Sequence, residues 1–253
     1  MRRRVAAEAL QVSILNMPTI SRMAMEKTMR LITRGLAAGR VKTHCSGSEN
    51  IPSQGPALIV ARHYHHLYDG LALFAALRRP FHIVVTLDWV TNRPAQYFME
   101  TITRIARWPV VLRSDALALG ARNTTGLFSQ NDVLRYQRKA LRQAIELLVE
   151  GRILVIFPEA YPNIDPHYTP KKSSDEFLPF RPGLANIVAA AEKRLESPIP
   201  IIPAGLRYTT EKPWTAHLRF GAAIYRRSFL TARDLIAHLE EDVKQLSAAG
   251  TIK

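Results

Sequence analysis

One stretch constrains this chain more than any other: residues 57–70, ALIVARHYHHLYDG. Its first five residues, Ala57 to Ala61, are a continuous apolar run. A run that short, with no polar position on either face, predicts a strand buried on both sides. It stops at Arg62, His63, Tyr64, His65, His66 and Asp69, and Gly70 then leads into the apolar segment Leu71, Ala72, Leu73, Phe74. The pattern is strand, polar corner, helix. Chemistry in open α/β sheets gathers at the carboxyl ends of strands, and functional polar groups concentrate on loops held by a rigid scaffold. Packing alone does not ask for three histidines and a carboxylate at such a corner, so it is the candidate active site.

The rest of the chain alternates strands with helices. Residues 41–46 read as a strand with Cys45 as a small core residue, 81–87 as one buried strand, and 94–106 as a short helix. A strand over 109–112 ends in Arg113. Weak periodicity over 114–130 predicts a loop that holds the apolar residues Leu117, Leu119, Leu127 and Phe128. An amphipathic helix over 131–150 is ended by Gly151, and a strand over 153–157 runs into Pro158 and Glu159. Residues 161–182, with five prolines and the cations Lys171, Lys172 and Arg181, form a loop long enough to suggest function. A helix over 183–195, strands over 199–206 and 217–224, and a helix over 231–246 capped by Thr231 complete the chain. This alternation predicts an α/β fold, a mostly parallel sheet flanked by helices, in one domain over 41–253.

Residues 1–40 differ in kind. They hold eight basic and two acidic residues and predict two helices, 5–16 and 19–38, broken at Pro18. In the second, Met25, Met29, Ile32 and Leu36 make one apolar stripe beside a basic edge of Arg22, Arg30 and Arg34. Such an amphipathic pair either lies on an anionic bilayer or packs its stripe on the domain. The 253 residues carry a formal net charge of +14, from 35 basic against 21 acidic side chains. That surplus implies an anionic partner. Nucleic acid is not favoured, because aromatics are not interleaved with basic residues on one element. No run reaches the ~18 apolar residues of a membrane-spanning helix. A single cysteine excludes an internal disulfide and a cysteine-rich metal site.

Neither G-x-S-x-G, nor a P-loop, nor G-x-G-x-x-G occurs. Histidine is the natural general base near neutral pH, and a neighbouring carboxylate fixes its tautomer. His63 with Asp69 therefore suits activation of a substrate hydroxyl. A second reading is a zinc-dependent hydrolase built on His63, His65, His66 and Asp69, although no second ligand cluster follows and His167, His217 and His238 stand alone. A third is a non-catalytic protein that binds anionic lipid.

Several motifs in order resemble the glycerolipid acyltransferases of the 1-acylglycerol-3-phosphate O-acyltransferase (lysophosphatidic acid acyltransferase) type, over residues 41–246. That family has a G-x-E-N-x-P phrase, matched by Gly47 to Pro52, then a strand and N-H-x-S-x-x-D, matched by Ala57 to Ala61, Arg62, His63 and Asp69. Its strand ending in arginine is matched by Val110, Val111, Leu112 and Arg113, and its F-P-E-G by Phe157, Pro158 and Glu159. Its K-x-G is matched by Arg181, Pro182 and Gly183, and its V-P-V strand by Ile201, Ile202, Pro203 and Ala204. Two departures stand out. The family places four residues between His and Asp, whereas five separate His63 from Asp69, and His65 lies at i, i+4 from Asp69 as the alternative base. F-P-E-G-T-R becomes Phe157 to Pro162, without its arginine; Arg113, Arg181, Lys171 and Lys172 are the cations available to replace it.

The resemblance implies an O-acyltransferase of phospholipid biosynthesis. His63 would take a proton from the hydroxyl of a lysophospholipid, Asp69 would support the imidazolium, and the substrates would meet Arg113, Phe157, Pro158, Glu159 and Arg181. The donor would be an acyl thioester, of coenzyme A or acyl carrier protein, with no cofactor and no metal. The same resemblance implies a peripheral enzyme on the cytoplasmic face of an anionic membrane, with residues 1–40 as its surface anchor and apolar residues of 114–130 lining acyl-chain access.

Overall fold

The computed structural model describes residues 35, 41–118, 127–166, 168–209, 211 and 213–248. Among the described residues there are eight strands: β1 (Val41–Ser46), β2 (Ala57–Ala61), β3 (Phe81–Ile83), β4 (Val85–Thr86), β5 (Val110–Val111), β6 (Ile153–Ile156), β7 (Ile201–Thr209) and β8 (Trp214–Phe220). The α-helices among the described residues are α1 (Tyr68–Ala76), α2 (Arg93–Ile105), α3 (Ser114–Ala118), α4 (Gln130–Val149), α5 (Gly183–Leu195) and α6 (Ala232–Ser247). Apart from Gly35, the N-terminal helix pair expected over 1–40 lies outside the described residues, as does Leu119.

The apolar run of β2 earns its central place. It pairs in parallel with β6 on one side and β7 on the other, with Ile59 opposite both Val155 and Ile202. All five of its residues are fully buried. Alternation along the strand feeds two cores. Ala57, Ile59 and Ala61 pack with Leu73 and Phe74 of α1 on one face. Leu58 and Val60 pack with Leu147 and Leu148 of α4, Val188 of α5 and Leu235 and Leu239 of α6 on the other. The six-stranded sheet runs β1-β8-β7-β2-β6-β3, and only the β7–β8 pair is antiparallel. The mostly parallel sheet flanked by helices is thus as the sequence predicts.

Two local expectations are corrected. The strand expected over 81–87 is two strands in two sheets: β3 extends the main sheet beside β6, while β4 pairs with β5 in a separate ribbon. The apolar run continues across the break because the ribbon has its own core, built on Leu87, Val90, Leu112 and Phe128. Cys45 is exposed, not a core residue, because β1 is the edge strand of the sheet and only Val41 of its six residues is buried. The loop expected over 114–130 begins with the short helix α3, and the strand expected over 217–224 is β8, three residues earlier at its start and ending at Phe220; three local signals act as read. Thr231 and Ser129 each form a reciprocal capping box, with Asp234 and Asp132 respectively, and Gly151 ends α4 at φ 75°.

Gly205 sets how closely α6 approaches the sheet. A Cβ there would lie 2.3 Å from the backbone carbonyl carbon of Leu246, which no side-chain rearrangement relieves. Gly205→Ala should therefore force α6 away from β7 and lower stability by about 2–3 kcal/mol. Thermal denaturation read by circular dichroism checks this; an unchanged midpoint would show that the close contact carries no weight.

Candidate functional site

The site is built where β2 ends. Asp69 sits in the first turn of α1, 1% exposed, and its carboxylate accepts four hydrogen bonds. Oδ2 takes the ring Nδ1 of His63 at 2.8 Å and the backbone N–H of Tyr64 at 2.7 Å. Oδ1 takes the backbone N–H of His65 at 3.0 Å and the hydroxyl of Tyr208, from β7, at 2.8 Å. The corner is wound around this one carboxylate: within the five residues between His63 and Asp69, Tyr64 and His65 both turn their amides inward to it. Burial and the Asp69 charge push the Tyr208 hydroxyl well above its ordinary pKa, so it stays a donor.

With Nδ1 bound to Asp69, the basic atom of His63 is Nε2. The ring is 17% exposed and stacks on Phe157 with centroids 4.5 Å apart. Its main chain is gripped as well. Glu159 accepts the His63 backbone N–H on Oε1 at 3.0 Å. Glu159 Oε2 accepts the Lys171 ammonium at 2.6 Å and the Leu178 N–H at 3.0 Å. Lys171 in turn donates to the His63 carbonyl at 3.0 Å and to Asn163 Oδ1 at 3.1 Å. The result is a closed circuit from the His63 amide through Glu159 and Lys171 back to the His63 carbonyl. Both charged side chains are fully buried, and burial lowers the Lys171 pKa below the usual lysine value although Glu159 pulls the other way. The circuit also straps residues 161–182 across the corner, where Ile164 bridges to His65 in strand fashion.

The cations expected at the substrate separate into two kinds. Arg113 is buried; Nε and one terminal nitrogen bond Asp88 Oδ2 at 2.9 and 2.7 Å, and the other bonds the Ala160 carbonyl at 3.0 Å. Ala160 stands where F-P-E-G has glycine and adopts φ 64°, a left-handed conformation that the Arg113 bond helps to hold. Arg62 is likewise buried, on the carbonyls of Ser174 and Leu206 and over the Phe177 ring. Arg181 is open: its guanidinium meets Asp115 at 3.0 Å with both side chains nearly half exposed, and its amide bonds the Pro158 carbonyl. Lys172 is exposed too.

His65 has a different task from His63. Its Nδ1 accepts the backbone N–H groups of Leu67 and Tyr68, both at 3.2 Å, which is the work of an Asn or Asp cap at a helix start. The ring stacks on Tyr68 at 4.0 Å and meets Trp214 edge-on. That geometry spends the nitrogen a base or a zinc ligand would need. Among the described residues, no three His, Cys, Asp or Glu side chains are arranged to hold a metal ion, so the zinc reading of His63, His65, His66 and Asp69 finds no assembled ligand set. Sequence reasoning missed Tyr208, Asp88 and Asn163. Tyr208 lies 139 positions from Asp69 in sequence, and no local pattern announces such a partner.

The acyltransferase family model, described as Acyltransferase, matches residues 42–207. No curated protein sequence matches the chain. Among solved structures, the 1-acyl-sn-glycerophosphate (LPA) acyltransferase PlsC from Thermotoga maritima is similar in fold. It is 17% identical with a TM-score of 0.58, over 95% of this chain and 86% of that one. Among the described residues no helix is long and apolar enough to cross a membrane.

Acid should destabilise the fold through two buried rings, His65 at the corner and His82 on β3 beside the Ala106 carbonyl. Burial lowers His65 and His82 from 6.5 to about 4. Between those values the unfolded chain binds protons that the folded chain refuses, so stability is full above the unfolded value and is lost as pH falls toward the folded one. Each ring contributes on the order of 3 kcal/mol at the acid end. His65→Asn, whose Oδ1 can take over the cap, should reduce this acid loss by roughly half in denaturant titrations across the window; an unchanged pH slope would remove His65 from the account.

Proposed function

We propose a function on one established premise: this chain belongs to the acyltransferase family. Its fold is that of a glycerolipid acyltransferase. The reading is transfer of a fatty acyl group from an acyl thioester, of coenzyme A or acyl carrier protein, to the free hydroxyl of a lysophospholipid such as lysophosphatidic acid. The observation that carries it is the 2.8 Å bond between His63 Nδ1 and the buried Asp69, at the carboxyl end of the central strand.

The steps follow from that geometry. Nε2 of His63 removes the hydroxyl proton as the oxygen attacks the thioester carbonyl carbon, and Asp69 stabilises the imidazolium that forms. The tetrahedral intermediate collapses with cleavage of the C–S bond, and the imidazolium returns its proton to the departing thiolate. The new ester and the free thiol leave with His63 neutral again. Glu159 and Lys171 are positioning residues here, holding the His63 main chain, and Arg113 supports the corner through Ala160. Phosphate on the acceptor falls to the exposed cations, Arg181 foremost and Lys172 beside it, by charge-assisted hydrogen bonds. The net charge of +14 suits work at an anionic membrane surface, peripherally and on the cytoplasmic side.

Acyl transfer by the purified full chain from labelled acyl-CoA and acyl carrier protein to lysophosphatidic acid tests the reading. His63→Ala should reduce kcat by at least ~100-fold, whereas His65→Asn should keep most activity. Arg181→Gln should raise KM for lysophosphatidic acid about tenfold with kcat little changed. Transfer that survives His63→Ala would remove the base from the mechanism, and no transfer from either donor would overturn the reaction assigned.

A further inference from the structure

Two neighbouring helices carry four of the six exposed large apolar side chains among the described residues. Tyr97 and Phe98 on α2 are 64% and 62% exposed, and Leu134 and Leu141 on α4 are also open. A single exposed leucine is ordinary, but adjacent aromatic rings in water beside a second apolar stripe mark an interaction surface. Charge follows the same geometry. On α4, Leu134, Arg138 and Leu141 recur at i, i+4 and i+7, and the next row, Arg135, Lys139 and Arg142, repeats the spacing; all six are exposed.

The two helices join at one point, and the surface runs across it from the Tyr97 flank of α2 to the basic rows of α4, with Leu134 and Leu141, two before and five after Tyr136, on the far flank. Tyr136 of α4 donates its hydroxyl to Glu100 of α2 at 2.6 Å. Tyr97 precedes Glu100 by three residues and the exposed Arg104 follows it by four, so both lie on the flank of α2 turned toward α4. Arg135 lies over the Tyr136 ring at that junction. The local acids are largely occupied: Asp132 caps α4 and pairs with Arg135, and Glu100 holds Tyr136 and Gln96. Only Glu146 is an exposed acid within the basic rows. What remains is a basic surface bordered by exposed apolar side chains.

We infer that the outer face of α2 and α4 docks on anionic phospholipid. Aromatic and leucine side chains enter the headgroup–acyl boundary while arginines and lysines reach the phosphates. The place is consistent with the chemistry. Asn92, which caps α2, follows Asp88 by four residues, and Asp88 is joined through Arg113 to Ala160 beside Glu159. The segment leading into α2 is thereby tied to the same end of the sheet as Glu159 and His63. This surface is made of residues other than 1–40, and it deepens the lipid-substrate reading without needing turnover to be detected.

Cosedimentation of the full chain with vesicles of phosphatidylcholine, with and without phosphatidylglycerol, tests the docking face. Wild type should bind the anionic vesicles, less so as salt rises. Tyr97→Ser/Phe98→Ser should bind about tenfold more weakly, and Arg135→Gln/Lys139→Gln/Arg142→Gln should lose most of the preference for phosphatidylglycerol. Both sets of positions are at the surface, and acyl transfer to a water-soluble short-chain lysophospholipid should be unchanged in both, which separates this inference from the reaction assigned above. Wild-type binding in both variants would overturn it and move the membrane contact to residues 1–40. A fall in oligomer mass with vesicle binding intact would overturn it in favour of a contact between copies of the chain.

Discussion

The corner after the central strand depends on one buried carboxylate. Asp69 collects two backbone amides, an imidazole and a phenol, all between 2.7 and 3.0 Å. A carboxylate so deeply buried is costly unless hydrogen-bonded, and here each donor comes from a different constraint. The amides belong to the turn that leaves β2, the imidazole is the proposed base, and the phenol arrives from β7 on the far side of β2. Removing any of them leaves Asp69 short of a partner in a place water scarcely reaches. The same contacts that hold the turn together thus set the orientation of His63.

A second buried pair extends this logic to the loop. Glu159 follows β6, and Lys171 lies in the strap of residues 161–182, yet both close on the main chain of His63. The parallel neighbours β2 and β6 deliver His63 and Glu159 to the same end of the sheet because parallel strands share a carboxyl end. Breaking one partner of such a pair strands a charge, so the strap and the base stand or fall together. A glutamate that the family resemblance assigns to the substrate is, by its contacts, part of the frame that holds the proposed base, His63.

Most of the fold was legible in the sequence because its signals are local. A continuous apolar run at 57–61, capping residues at Ser129 and Thr231, and a glycine at 151 each act through neighbours a few positions away. The site was legible only in part. His63, Asp69 and Glu159 follow strands and could be picked out by position. What could not be read is which polar groups they spend on each other. Arg113 reads as a cation for phosphate and proves bonded to Asp88 and Ala160; His65 reads as an alternative base and proves to cap α1. The break between β3 and β4 was hidden for a related reason, since an apolar run does not record which of two cores it feeds.

The proposed chemistry turns on Asp69 holding His63 with its lone pair on Nε2. The most direct measurement is nitrogen-15 NMR of the His63 ring in the wild-type chain and in Asp69→Asn. The neutral wild-type ring should be protonated on Nδ1, with that preference lost in Asp69→Asn. A wild-type ring protonated on Nε2 would contradict it, because the nitrogen left basic would then be the one facing Asp69 and no proton could be taken from a substrate hydroxyl.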